Sequence, residues 1–166
     1  MQLLFIILAA MISNSKLTVT SSAFKSGEKI PEKYSCEGQN INPPIFVQGI
    51  PDKTVSLALI MFDPDAPNGG FDHWILFNMN PGDNRILENS APGTQGANGK
   101  GKSEYGGPCP PTGIHHYHFT VYALDKKLDL EVGTTKQDVE SAMKDHILAQ
   151  GELVGLYTKK KKTENN

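Results

Sequence analysis

The chain has 166 residues, the length of one ordinary domain, and 38% of them are hydrophobic, enough for a substantial core. Its 16 glycines and 11 prolines are more than a helical protein usually carries, and they favour an all-β fold with many turns. The formal net charge of -2 offers no overall attraction for nucleic acid, so we do not expect a nucleic-acid partner.

The first 15 residues predict a signal peptide. Residues 3–12 are apolar and uncharged, and the small residues that follow suit cleavage near Lys16. The apolar run is too short to cross a bilayer, so we expect no integral membrane span. A buried N-terminal strand or a misplaced start site are the alternatives. A genuine signal implies export to the periplasm or the medium, and otherwise the protein is cytoplasmic.

Hydrophobic patterning predicts a series of strands. Two continuous apolar runs, at residues 54–62 and 73–79, indicate strands buried on both faces. In a third run, at residues 115–125, apolar and polar side chains alternate, which places His115 on one face and His116 on the other. Weaker strands are predicted at residues 16–24, 45–48 and 152–158.

Only one clear helix is predicted. Thr134 and Gln137 form a capping-box pattern, apolar residues recur at helical spacing through Gln150, and Gly151 suits a C-cap. We assign residues 16–158 to one domain and residues 159–166 to a charged, disordered tail.

Two segments carry most of the chemistry. Residues 63–74 (DPDAPNGGFDHW) and 105–119 (YGGPCPPTGIHHYHF) each place a turn rich in proline and glycine beside a hydrophobic strand. Each delivers carboxylates or histidines to a strand end, where rigid loops commonly build binding sites. The pair predicts a small pocket with acidic and cationic walls.

Two other patterns are weaker. The run from Gly96 to Ser103 matches a P-loop, but we identify no strand before it, and the glycines and prolines after it cannot open a helix, so we reject nucleotide hydrolysis. Asp63 and Asp65 suit either turn capping or a carboxylate pair, and alternation separates His115 from the other histidines of its strand. We therefore predict no metal and no cofactor.

The two cysteines leave alternatives open. Cys36 and Cys109 are either a disulfide in an exported protein or two buried thiols in a cytosolic one. A nucleophilic Cys109 activated by His115 is less favoured, because the prolines on either side of Cys109 favour rigidity over activation.

Several strings together resemble one protein family. DPDAP at 63–67, His73-Trp74 and the long string at 106–125 are similar to the phosphatidylethanolamine-binding protein family, especially its bacterial Raf-kinase-inhibitor-like branch, and YSCEG at 34–38 and the closing GELVGLY also fit. The resemblance implies an all-β fold with peripheral helices, a sandwich of two antiparallel sheets with a Greek-key connection. It also implies an anion pocket at one end of a sheet.

The resemblance also implies the ligand-binding residues. Matched motif to motif, they are Asp63, Asp65, Pro67, His73, Gly107, Pro108, His115 and Tyr117. The chain departs from familiar members at Asp72, where an aromatic residue is common, and at His116, where arginine is common. We expect the histidines, Tyr117 and the backbone amides of the Gly106-Gly107 turn to donate hydrogen bonds to a phosphate. Nearby carboxylates are expected to favour imidazolium rings, and Asp72 is expected either to raise the basicity of His73 or to open the rim of the pocket.

The expected function is therefore non-enzymatic binding of a small phosphate-containing or zwitterionic ligand such as phosphoethanolamine. By resemblance the protein also modulates a kinase or another signalling partner, whose identity the sequence does not give. Two rivals remain at this point. One is a hydrolase that uses Asp65 with His73 or His115 as acid and base, and the other is a secreted inhibitor that acts through its loops.

Overall fold

The structure, a computed structural model, describes residues 15–160. All of the predicted signal peptide except its last residue lies outside this range, as does the tail beyond Lys160. No helix within residues 15–160 is long and apolar enough to cross a membrane.

The described chain is mostly β, with one α-helix. The strands are β1 (Ser15–Lys16), β2 (Thr18–Thr20), β3 (Ile45–Gln48), β4 (Ser56–Asp63), β5 (Phe71–Met79), β6 (Arg85–Ile86), β7 (Thr94–Gln95), β8 (His115–Leu124) and β9 (Ile147–Tyr157). The helix α1 spans Lys136–Met143, and short 3-10 turns lie at Glu32–Tyr34, Pro67–Gly69 and Pro81–Asp83.

The strands form two sheets. The larger has the order β1-β9-β8-β4-β5-β7, in which all pairs are antiparallel except β1 with β9. The smaller is antiparallel, with the order β2-β3-β6. Two largely antiparallel sheets match the expected fold class, whereas the Greek-key connection stays a prediction.

The central strand β4 is buried on both faces, which explains its unbroken apolar run. Leu59 belongs to a core cluster that includes Val47 of the smaller sheet. On the opposite face Ile60 belongs to a second cluster with Val139 and Met143 of α1. One face of β4 therefore packs toward the smaller sheet and the other toward the helix, so the residues between its two polar ends, Ser56 and Asp63, are apolar.

The predicted alternation along β8 is confirmed. His115 and Tyr117 are buried, whereas His116 is exposed. The antiparallel register with β9 sets His115 opposite Tyr157, so the C-terminal end of β9 lies beside the start of β8.

The predicted helix was too long. It is capped by Thr135, whose hydroxyl accepts a hydrogen bond from the Asp138 amide, and it ends at Met143 rather than Gln150. Residues from Ile147 onward instead form β9, because pairing with β8 supplies backbone hydrogen bonds that override a local helical pattern. Gly151 is a strand residue rather than a C-cap, and a side chain there would collide with the Leu17 carbonyl.

The stretch that matches a P-loop has a different context from the one we predicted. A two-residue strand, Thr94–Gln95, does precede it, so the expectation of no strand was wrong. However, the next α-helix along the chain begins only at Lys136, and β8 intervenes. The stretch therefore has no helix N-terminus to face a phosphate.

Candidate functional site

The ends of three neighbouring strands border a cavity of about 270 Å³. β4 ends at Asp63, β5 begins at Phe71 and β8 begins at His115, and antiparallel pairing brings these ends to one edge of the sheet. All the predicted site residues except Asp65 and Pro108 line the cavity, namely Asp63, Pro67, His73, Gly107, His115 and Tyr117.

A buried carboxylate joins the two histidines of the cavity. Asp63 is 2% exposed, and its Oδ2 accepts a hydrogen bond of 2.8 Å from His115 Nδ1. His73 Nε2 lies 3.9 Å from the same oxygen, which is too far for a direct hydrogen bond. The second oxygen, Oδ1, accepts from the Asp65 amide at 2.9 Å. Asp63 therefore orients His115 and leaves that ring's Nε2 available to another partner.

His73 is held from its other side by the backbone. Its Nδ1 lies 2.6 Å from the Gly106 carbonyl, and because a carbonyl only accepts, Nδ1 carries a proton. Burial lowers the pKa of His73, and the Gly106 carbonyl and the Asp63 charge do not offset it. The charges of Asp63 and Asp72 do raise the pKa of this ring, as expected, but burial outweighs them, so the net shift is downward. Neutral His73 presents Nε2 as an acceptor until it is protonated.

Tyr117 carries a buried hydroxyl without a well-aligned partner. The residue is 0% exposed, and its oxygen forms no hydrogen bond of good geometry with the described residues, although the Asp63 carboxylate and the Cys109 backbone lie close enough to affect its pKa. Burial, reinforced by the Asp63 charge, raises the pKa of Tyr117 far above its ordinary value, so the group stays a neutral hydroxyl. A buried polar atom of this kind usually costs about 1–3 kcal/mol unless something bonds to it.

The wall at residues 105–108 is built from backbone that is already hydrogen-bonded. The Gly106 amide donates to the His73 carbonyl at 2.9 Å, and the Gly107 amide donates to Asn40 Oδ1 at 2.8 Å. The expectation that these two amides donate to a ligand was therefore wrong. Their role is to fix the position of the wall.

A second concavity lacks this chemistry. An open cleft of about 310 Å³ is bordered by Trp74, Gln95 and Tyr105, and it contains no histidine and none of the predicted site residues. No group of three or more His, Cys, Asp or Glu side chains within residues 15–160 is arranged to hold a metal ion. The polar groups that converge therefore single out the cavity at the strand ends as the candidate site.

The comparison with known proteins identifies the family. The sequence profile described as "Phosphatidylethanolamine-binding protein" matches residues 20–158, a range that contains the whole cavity. The chain belongs to the phosphatidylethanolamine-binding protein family.

Relatives within the family cover most of the chain. A UPF0098 protein of Methanothermobacter thermautotrophicus is 44% identical over 149 residues, which cover 85% of this chain and 98% of the relative. A UPF0098 protein of Pyrococcus horikoshii is 47% identical over 150 residues, which cover 84% of this chain and 76% of the relative.

Solved structures show the same fold. A phosphatidylethanolamine-binding protein homologue from Chlamydia trachomatis has a TM-score of 0.85 at 41% identity, covering 88% of this chain and 99% of that one. YbcL of E. coli, described as a new member of the mammalian phosphatidylethanolamine-binding protein family, has a TM-score of 0.82 at 30% identity. The match covers 88% of this chain and 100% of that one.

In this family member, two predicted residues lie outside the cavity lining. Asp65 is exposed, and its Oδ2 accepts from the His116 amide at 2.8 Å and from His116 Nδ1 at 2.7 Å. These bonds lower the pKa of Asp65. Because Asp65 is engaged with His116, it is not placed as the partner of His73 or His115 that the hydrolase hypothesis required.

Pro108, the second of these residues, helps to hold the cavity wall in place. Its carbonyl accepts from the Cys36 amide at 3.1 Å, next to a disulfide that joins Cys36 to Cys109 with a Cα–Cα distance of 5.4 Å. Tyr105 adds a further tie, because its hydroxyl donates to the Tyr34 carbonyl at 2.8 Å. These links attach the cavity wall to residues 34–40.

Sequence reasoning missed several residues that line the site of this family member. The apolar ones are Phe71, Pro110 and Pro111, and the polar ones are Asn98 and Lys100. The run from Gly96 to Ser103 drew attention for its glycines and lysines, but nothing in its pattern tells which lysine reaches the cavity.

Proposed function

We propose that this protein is a non-enzymatic binding protein that takes a small phosphate-bearing ligand into the cavity at the strand ends. The Tyr117 hydroxyl carries the proposal, because it is fully buried and forms no hydrogen bond of good geometry with any group of residues 15–160. A ligand oxygen at that position removes the cost of the unpaired donor.

The two histidines supply the complementary groups. His115 uses Nδ1 for Asp63 and His73 uses Nδ1 for Gly106, so each ring keeps Nε2 for a ligand. When protonated, both nitrogens donate to anionic oxygen. A carboxylate ligand is a poorer match, because it offers fewer oxygens to three donors arranged in three dimensions.

We propose the phosphate, rather than an ammonium, as the group that the pocket recognises. Both Asp63 oxygens already accept hydrogen bonds, one from His115 and one from the Asp65 amide. Asp65 itself is exposed and bound to His116. An ammonium would therefore share Asp63 with these two bonds, whereas a zwitterion such as phosphoethanolamine binds through its phosphate.

Two further expectations remain predictions. Modulation of a kinase or signalling partner rests on resemblance, and no described surface identifies the partner. Export rests on residues 1–15, and a disulfide suits an oxidising compartment.

The test is a calorimetric titration of the full chain and its Tyr117→Phe variant with inorganic phosphate and with phosphoethanolamine. We expect saturable binding to the wild type and about tenfold weaker binding to the variant, because a hydrogen bond to a charged acceptor is worth roughly 1.5 kcal/mol or more. The unliganded variant should be at least as stable as the wild type, since it buries no unpaired hydroxyl.

Tyr122→Phe is the matched control, because Tyr122 lies on the opposite face of β8. Equal affinity in Tyr117→Phe and the wild type contradicts the proposal, as does the absence of binding to the wild type. Release of inorganic phosphate from phosphoethanolamine in the same samples contradicts its non-enzymatic part.

A further inference from the structure

Lys100 adds a permanent positive charge to the cavity. Lys100 is an exposed residue that lines the same cavity as Asp63 and His73, and it forms no ion pair with a carboxylate of the described residues. The adjacent lysine, Lys102, behaves differently: it is not part of the cavity lining, and its Nζ lies 3.5 Å from a Glu104 oxygen.

The backbone at Lys100 is held in place by a buried amide. Asn98 Oδ1 accepts from the Lys100 amide at 2.9 Å and from the Lys102 amide at 3.1 Å, while Asn98 Nδ2 donates to the Glu104 carbonyl at 3.1 Å. The Gly99 amide also donates to the carbonyl of Asp72 at 2.8 Å. The backbone of Lys100 is therefore anchored beside β5, whereas its side chain is exposed.

The charge of Lys100 reaches the histidine that faces the ligand. Burial is the main cause of the lowered pKa of His73, and the Lys100 charge acts in the same direction. Two observations therefore place Lys100 and His73 together: both residues line the cavity, and the charge of Lys100 affects the pKa of His73.

The charges in the cavity favour a doubly charged ligand. Lys100 supplies a positive charge that does not depend on the protonation of the histidines. A phosphomonoester, whose second ionisation near pH 6 makes it largely dianionic at neutral pH, gains more from this charge than a singly charged phosphodiester does. The other two carboxylates of the segment at residues 63–74 lie outside the lining: Asp65 is engaged with His116, and Asp72 is paired with Lys136.

Given the phosphate binding proposed above, on which this inference rests, we propose that Lys100 makes the pocket select phosphomonoesters over phosphodiesters. Its ligands are then soluble phosphomonoesters in preference to intact phospholipid headgroups, in which the phosphate is a diester. The Pro111 and Phe71 side chains border the same cavity and leave apolar surface for the organic group of the ester.

The experiment compares methyl phosphate with dimethyl phosphate at about pH 7.5, using the full chain, Lys100→Met and Lys102→Met. The two ligands are similar in size and differ by about one negative charge. We expect the wild type to bind methyl phosphate roughly fivefold more tightly, an effect of the size expected for one added charge at a partly exposed site. Lys100→Met should weaken the binding of methyl phosphate more than that of dimethyl phosphate and so reduce the preference, whereas Lys102→Met should behave as the wild type.

Each other outcome overturns the inference in a distinct way. Equal affinities of the wild type for the two ligands leave phosphate binding intact but remove the selectivity. If Lys100→Met and Lys102→Met lose the preference for methyl phosphate equally, the preference comes from the overall charge of the protein rather than from the pocket. If neither ligand binds the wild type, the proposed function fails together with this inference.

Discussion

Asp63 is the residue that organises the hydrogen bonds of the site. It fixes His115 directly, and it sets the electrostatic surroundings of His73 and Tyr117. Burial moves the two pKa values in opposite directions, lowering that of His73 and raising that of Tyr117, and so keeps both groups neutral. In both cases the free cavity disfavours charge, and a bound anion reverses this preference for His73 because it stabilises the imidazolium.

The pH dependence of His73 is a prediction at this scale. Its folded-state pKa lies below the ordinary value of 6.5, so between these two values the unfolded chain binds more protons. The stability contributed by His73 is therefore complete above the unfolded pKa and is lost as the pH falls toward the folded pKa. Dimethyl phosphate, whose charge is constant in this range, should raise the ring's titration midpoint and bind more tightly at lower pH.

An NMR titration of the histidine rings measures both effects. The His73 midpoint should lie below 6.5 without ligand and move upward with dimethyl phosphate. His118, which faces away from the cavity and contacts Glu152, is the internal control and should not respond to the ligand. A His73 midpoint at or above 6.5 in the free protein contradicts the prediction.

At the scale of elements, the site depends on how a loop is attached to strand ends. The wall at residues 105–108 reaches His73 on one side and residues 34–40 on the other. Gly107 lies where the two segments approach most closely, and a side chain there would collide with the Tyr34 carbonyl and with Asn40. Glycine is required at this position by the close approach rather than by an unusual backbone angle.

Gly107→Ala should therefore displace the wall. We expect a loss of about 1–3 kcal/mol in the free energy of unfolding, the usual range for overpacking, and weaker phosphate binding. Gly106→Ala is the matched control, because its added Cβ would come no closer than 3.4 Å to a neighbour. Urea unfolding and calorimetry give the two quantities, and equal effects of the two substitutions would count against this account.

At the scale of the whole molecule, one covalent link joins distant parts of the chain to the site. The disulfide closes a sequence separation of 73 residues and attaches Cys109, which lines the cavity, to the segment that follows the Glu32–Tyr34 turn. It therefore contributes both to global stability and to the position of the cavity wall.

Replacing both cysteines by serine should lower the free energy of unfolding by about 4 kcal/mol in the chain-entropy description. Urea unfolding of the wild type with and without dithiothreitol gives the same comparison without mutation. As a control, dithiothreitol should not change the free energy of unfolding of the double variant, which has no disulfide to reduce. A loss below about 1 kcal/mol in the double variant would argue that the link adds little to stability.

The local patterns of the sequence determined the strands and the place of the site. The β8 alternation assigned His115 and Tyr117 to one buried face, and the turns rich in glycine and proline at residues 63–74 and 105–119 located the strand ends, because period and turn chemistry are properties of neighbouring residues.

Only the tertiary structure decided which distant groups meet. It ended the helix at Met143, because β9 finds its partner across the sheet in β8, and it gave Asp65 to His116 rather than to the cavity. It also brought Lys100 to the cavity through a loop anchored by Asn98. Such contacts depend on segments far apart in the chain, and burial, which sets the charge of His73, exists only once those segments pack.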